Sequence, residues 1–461
     1  MSTVPTGRAP AQAPSGTSLH HPGLALAAIV GCQLMIGIDT SIVTIALPDI
    51  GRAAGLSTGG LAWVLNAYMI AFGGLLLLGG RAGDIFGRRR VFLGGVAVFT
   101  LASLLGGLAP DGPALIAARA AQGLAAAFGA PSALALIAAL FSGPARVRAL
   151  SVFSAVVGAG GALGMILGGV LTEVASWRWV FFVNVPVGVA LVLLAPRVLV
   201  ETPRRPGRFD LPGALASTVG MTALVSLFIR AGTDGWDDPR ALAAGAVAVL
   251  ALGAFALLER GAPQPIVPLR LFAHRVRTGA YLTMFFLVSG MFGGYFYLTQ
   301  LLQGQFGYGP LQTGAAFLPI AGLQFTTVRI VPRLLPRLGA RTIVTTGALL
   351  LATGLAWLTA LPGDGGYAAW MLGPFVLMGV GGGLSIMPLN ATVLGTAAPE
   401  DAGAASGVAQ AMLWSGGAVG SAVMVTVQGG GGGTAAIFGC AAAFEVAALL
   451  LAASTLGRRA A

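Results

Sequence analysis

Three charged residues stand where the chain offers them no water: Asp39 in MIGIDTSIVTIALP, Arg119 in RAAQGLAAAFGAP and Glu445 in CAAAFEVAALL. An ionisable side chain among apolar neighbours is expensive to bury, and such groups usually face a cavity or a partner and mark ion or proton pathways. A carboxyl can carry a proton when both of its charge states are tolerable. Burial favours the neutral acid and a nearby guanidinium favours the ion. Asp39 with Arg119 would make such a site; the bland alternative is a static buried ion pair. Glu445 has no partner in its own stretch and is a candidate second proton or cation site.

The elements that position these residues must be membrane helices. Of the 461 residues, 56% are hydrophobic and 9% charged, with mean hydropathy +0.87, whereas soluble domains carry about 25% charged residues. A span needs about 20 mostly apolar residues. Fourteen stretches qualify: 24–47, 61–80, 91–109, 114–140, 150–172, 179–200, 212–232, 241–259, 278–302, 312–334, 341–361, 368–390, 402–427 and 434–456. The Pro-, Ser- and Gly-rich residues 1–23 read as a disordered tail and not as a cleaved signal.

Charge orients these stretches. Arg-rich loops follow the second, fourth, sixth, eighth, tenth and fourteenth, among them Arg88 to Arg90, Arg146 with Arg148, and Arg333 with Arg337. The alternate loops hold only Arg52, Arg178 and Arg240. The positive-inside rule then predicts that both termini are cytoplasmic. The net charge of +11 is topology, so nucleic acid is not an expected partner. Cys32 and Cys440 read as free thiols, and His20, His21 and His274 lack companions, so no metal site is expected. No P-loop occurs, since the chain has no Lys.

Depth supports a pairing. Asp39 is eight residues from the outer end of its stretch and Arg119 five from its own, or about 12 and about 7.5 Å at 1.5 Å per residue. An internal repeat is also visible. RAGDIFGRRRVF from Arg81 aligns with RLLPRLGARTIV from Arg333, placing Gly87 over Gly339 at an offset of 252, and GGALG at Gly160 aligns with GGAVG at Gly416. Two six-helix bundles, 24–200 and 278–456, are predicted, with a linker and inserted pair at 201–277 and a short tail at 457–461. Repeated halves around a midplane site are typical of secondary transporters.

GGRAGDIFGRRRVF resembles motif A of the major facilitator superfamily through Gly80, Asp84, Gly87, Arg88 and Arg89. The resemblance implies an all-α membrane protein of fourteen helices, and a loop that latches one transport state. Pro336 stands at the Asp84 position of the second copy, so a latch would be one-sided. Arg119, Gln122 and Gly123 resemble motif B, whose Arg is associated with proton coupling. IDTSIVTIALP, with Asp39 and Pro48, resembles the first-helix motif of the drug-exporting branch. Gly160, Gly164, Gly168 and Gly169 resemble the antiporter motif C, although Met165 replaces its Pro; glycines four apart also suit plain helix packing. WRWVFFVNVPVG, from Trp177, resembles the fourteen-helix exporters and reads equally as an interfacial anchor.

The resemblance implies export of a lipophilic drug or antibiotic against proton entry, with Asp39 binding the proton and Arg119 tuning it. The proton gradient would be the energy source and no cofactor is expected. Candidate cavity residues are Gln33, Trp63, Asn66, Tyr68, Gln122, Tyr295, Tyr297 and Gln300, although packing is the commoner role for such aromatics. Asp39 would favour cationic substrates, and the chain is expected to act as a monomer in the plasma membrane. An uptake permease or uniporter would share the fold. An enzyme is disfavoured, because no paired intramembrane acids, nucleophile–His constellation or metal spacing is found.

Overall fold

The computed structural model describes residues 21–204, 209–262, 265–362, 370–398 and 401–457; the side chains of 157 and 158 are not described. Most of the expected tails, with His20, Arg205, Arg208 and Glu400, lie outside these residues. The described chain is helical, and thirteen helices are long and apolar enough to span a membrane. They are α1 (Pro22–Ala54), α2 (Thr58–Phe86), α3 (Arg88–Gly107), α4 (Gly112–Leu140), α5 (Gly143–Val174), α6 (Trp179–Val198) and α7 (Leu211–Thr233). The rest are α8 (Pro239–Gly261), α9 (Arg275–Gly304), α10 (Pro310–Leu358), α11 (Leu372–Gly395), α12 (Ala402–Gly429) and α13 (Thr434–Thr455).

The count differs from the expected fourteen at one place. α10 is 49 residues long, about 74 Å if straight, against a hydrocarbon core of about 30 Å. It leaves helical geometry at Gly339 (φ 78°, ψ 157°), inside the loop expected between the tenth and eleventh stretches. Gly87, its partner in the sequence repeat, separates α2 from α3 with φ 102° and ψ 129°. An L-residue resists positive φ, so a Gly at the same point of both halves lets the chain reverse in the same way.

Helix ends expose backbone N–H groups that lipid cannot satisfy, and polar caps therefore mark the starts. The side chains of Ser57, Asp111, Asp210 and Asp238 accept from Gly60, Ala114, Gly213 and Ala241 N–H at the starts of α2, α4, α7 and α8. Small residues set the close contacts within each half. A Cβ on Gly164 or Gly168 of α5 would stand 2.6 and 2.8 Å from the Ile38 and Ile42 carbonyls of α1. Gly416 and Gly420 of α12 meet the Phe285 and Ser289 carbonyls of α9 in the same manner, so the sequence echo is a shared packing device.

Apolar side chains from α1 to α6 form one core that continues into α7 and α12, and the second half forms others around α9 to α13. Gly73 of α2 abuts Trp414 of α12, and Asn66 bonds Ser421, so these two helices touch across the halves. α5 meets α10 near its outer end, where Gly169 faces Leu311 and Glu173 Oε2 accepts from Leu311 N–H at 2.9 Å. The inserted helix α7 lies against both α2 and α12, through Thr218 at Gly74 and Phe228 at Thr426. α8 packs on α7 and presents Leu242, Val249, Leu250 and Leu257 outward. Beyond it, Arg270 makes a bidentate pair with Asp401 (2.7 and 3.1 Å), which holds that exposed carboxyl below its usual range.

Candidate functional site

α4 can approach α2 closely because Gly123 is small: a Cβ there would overlap the Tyr68 carbonyl. That approach sets Arg119, one turn earlier, over the Tyr68 ring with its guanidinium carbon 4.4 Å from the centroid. On the other side of α1, Gly164 and Gly168 bring α5 against Ile38 and Ile42, the residues flanking Asp39. Asp39 is thereby enclosed completely, at 0% exposure.

Two helices, α4 and α6, supply its partners. Arg119 Nη1 donates to Asp39 Oδ2 at 2.5 Å, and Gln122 Nε2 and Asn184 Nδ2 donate to Oδ1, each at 2.9 Å. Gln122 Nε2 also donates to Ser103 Oγ at 2.8 Å, and its Oε1 accepts from Arg119 at 2.9 Å. Arg119 Nε donates to the Val64 carbonyl of α2 at 3.1 Å. Both oxygens of the Asp39 carboxyl are engaged as acceptors, Oδ1 twice and Oδ2 once. Breaking a buried pair by removing one charge typically costs about 3–5 kcal/mol, because the other is left uncompensated.

The expected proximity of Asp39 and Arg119 is thus a direct contact, whereas Asn184 and Ser103 escaped the sequence reading. Asn184 lies in VNVP, within a segment read as an interfacial anchor. An amide isolated among apolar residues carries the same signal that singled out Asp39. Trp177 and Arg178, from that segment, do tie the start of α6 to α3: the guanidinium stacks on the indole at 4.5 Å and donates to the Gly107 and Ala109 carbonyls.

At the opposite end of α2, Arg88 Nη2 and Nε donate to Asp84 Oδ1 at 2.9 and 3.3 Å, and Arg88 Nη1 donates to the Ala135 carbonyl of α4. Glu201, also unread in the sequence, accepts from the Arg89 and Arg90 N–H groups at 3.1 and 3.2 Å, capping α3. A Cβ on Gly87 would run into that carboxylate, so glycine is needed for space as well as for φ. Gly80 lies opposite Pro131 of α4, and Arg89 donates to the Pro196 carbonyl.

The candidate cavity residues divide. Gln122 belongs to the Asp39 network. Tyr68 packs edge-on to Phe72 and Trp414, with centroids 5.8 and 6.0 Å apart, and so reaches the interface between halves. Asn66 is fully buried and accepts from Ser421 Oγ at 2.9 Å, which makes it a joint between helices and not a wall of open space. Tyr297 faces α13, bonding Thr434 at 3.2 Å and meeting Phe438 edge-on, away from the facing half. Gln300 bonds its own helix at Phe296, and Trp63 packs on the first core. Gln33 Oε1 and the Tyr295 hydroxyl are buried without hydrogen-bond partners.

Glu445 is also fully buried, and neither of its oxygens has a partner. Its Oε1 fits into a notch at Gly290 of α9, 2.5 Å from where a Cβ would stand. Gly160, Gly164 and Gly168 all face α1, whereas Gly169 turns to α10 of the other half. Among the described residues no cluster of three or more metal-ligating side chains occurs.

Comparison with known proteins agrees with this architecture. The puromycin resistance protein pur8 of Streptomyces alboniger is 45% identical over 408 residues, 87% of this chain and 81% of that one. The cephamycin export protein CmcT of Amycolatopsis lactamdurans is 43% identical over 421 residues, covering 90% and 86%. Among solved structures, a D-xylose–proton symporter superposes with a TM-score of 0.66 at 17% identity, covering 95% of this chain and 98% of that one, which shows a shared fold. A sequence profile of the Major Facilitator Superfamily matches residues 29–421. On these grounds the chain belongs to the Major Facilitator Superfamily and is a multi-pass membrane transporter rather than an enzyme.

Proposed function

We propose that the protein exports a lipophilic antibiotic or drug in exchange for protons, by alternating access, with Asp39 as the proton-accepting group. The observation that carries this reading is the sequestered carboxyl of Asp39, held by Arg119, Gln122 and Asn184 in one half only. Kinship with a puromycin resistance protein and a cephamycin export protein supports the substrate class and the direction. Both termini are read as cytoplasmic, the chain as a monomer, and the proton gradient as the sole energy source.

The contacts suggest how a proton would be felt at a distance. A proton arriving on Asp39 would cancel the charge that holds Arg119, which is also tied to Gln122, Val64 and the Tyr68 ring. Tyr68 and Phe72 in turn pack on Trp414 of α12, across the interface between halves. Movement of Arg119 would therefore be transmitted to the surface along which the halves rock. Asp84, Arg88 and Glu201 would set the stability of the α2–α3 turn as that surface opens and closes. Glu445 is a candidate second proton site, rated below Asp39 because nothing charged adjoins it.

The test is efflux of a fluorescent lipophilic cation from loaded cells, with and without a protonophore, comparing native protein and Asp39→Asn at matched expression. Loss of efflux in both conditions is expected. Undiminished efflux after collapse of the gradient would sink proton coupling, and full activity of Asp39→Asn would leave Asp39 a structural residue.

A further inference from the structure

The inserted hairpin is closed at its base by two acids, Asp210 and Glu259, that the transport reading does not use. Asp210 caps α7, its Oδ1 accepting from Gly213 N–H at 2.9 Å, and Glu259 lies at the last turn of α8, 3% exposed. Glu259 Oε2 accepts from Val267 N–H at 3.0 Å, while its Oε1 and Asp210 Oδ2 are both buried with no donor. These two oxygens face the same spot, 2.8 and 2.7 Å from where a Cβ on Gly213 would stand, and the side chains are close enough to hydrogen-bond one another.

Two carboxylates have only acceptors to offer, so a hydrogen bond between them requires a proton on one. Like charges at such range cannot both persist in a buried place. We propose that Asp210 and Glu259 bind one shared proton, and that this carboxyl pair fastens the inserted hairpin to the linker seated on the second half. The linker is held through Val267, whose N–H bonds Glu259 and whose side chain packs against the core of Leu271, Tyr281 and Ala405. Release of the proton as pH rises leaves two anions facing each other, and the cap of α7 and the seat of Val267 loosen together.

The remaining charged groups nearby are committed elsewhere. Arg260 is exposed, and Arg270 pairs with Asp401. Arg230 and Asp234 pair at the far end of α7, and Arg240 starts α8 at that same end. α2 approaches through the contact of Phe86 with Phe209, and its Asp84 is bound to Arg88 while Arg81 has a partner of its own. Arg208 lies outside the described residues.

Hydrogen–deuterium exchange on the full chain in lipid nanodiscs, followed over residues 211–220 and 265–274 from mildly acidic to mildly alkaline pH, tests this without any transport assay. In native protein both segments should gain exchange together, several-fold beyond the rise that base catalysis alone produces. In E259Q and D210N an amide N–H supplies the bond without a titrating proton, so the excess should vanish and both segments stay protected. G213A, which drives a methyl between the two oxygens, should expose both segments even at acidic pH. Identical pH profiles in native, E259Q and D210N protein would overturn the proposal. So would recovery of protection at alkaline pH on adding magnesium alone, which would make the pair a cation site. Should E259Q fail to fold, D210N and G213A still decide the matter.

Discussion

Asp39 and Glu445 are both fully buried carboxyls on apolar helices, one in each half, and their surroundings are opposites. Asp39 receives three donors from α4 and α6, one of them a guanidinium. Glu445 receives none and is housed by the absence of a side chain at Gly290. A lone ion in such a place would cost far more than a fold can spare. The first is lined by donors that bond the carboxyl and also bond one another. Although the two halves repeat the same backbone plan, the buried carboxyl of the first is surrounded by donors and that of the second is not. The turns at Gly87 and Gly339 make the same point: the first adjoins Asp84, Arg88 and Glu201, and the second has Pro336 where the acid would be.

The sharpest way to break this contrast is Arg119→Ala. It strands Asp39 and removes the donor to Val64, so a loss of about 3–5 kcal/mol in unfolding free energy is expected, with efflux abolished. Chemical denaturation in detergent would check it, and a loss near zero would mean that the pair is not buried as described. Asn184→Leu takes one donor from Asp39 Oδ1 and should cost about 1–3 kcal/mol. It should also displace the pH profile of efflux, a readout that a purely structural amide would leave in place. Glu445→Gln should do least, changing stability by less than about 1 kcal/mol, since shape is kept and no bond is lost. Proton-to-substrate stoichiometry measured in proteoliposomes would sharpen this: an unchanged ratio leaves coupling to Asp39, and a reduced one promotes Glu445 to a partner in it.

Much of the fold was legible in the chain because hydrocarbon imposes simple demands. Apolar runs of span length, Arg on alternate loops and paired Gly turns follow from lipid, membrane potential and backbone sterics, and each is local in sequence. The three intramembrane ionisable residues, Asp39, Arg119 and Glu445, stood out for the same reason. The long α10 leaves helical geometry at Gly339, within the interval 334–341 that the sequence sets between two apolar stretches.

Partnership was not legible. Asp39, Ser103, Arg119, Gln122 and Asn184 come from four helices, and nothing in VNVP or TLASLL says which face meets α1. Asn66 and Tyr297 read equally well as cavity wall, yet packing turned one to Ser421 and the other to Thr434. Glu201, Asp210 and Glu259 looked like ordinary loop and helix-end acids until tertiary contacts set them on the α3 amides and on each other. Sequence by itself determined which residues lie in the membrane and which charges are out of place there, because those depend on local polarity. Only the tertiary structure decided which of them are satisfied and by whom, because that depends on how closely glycine-notched helices approach.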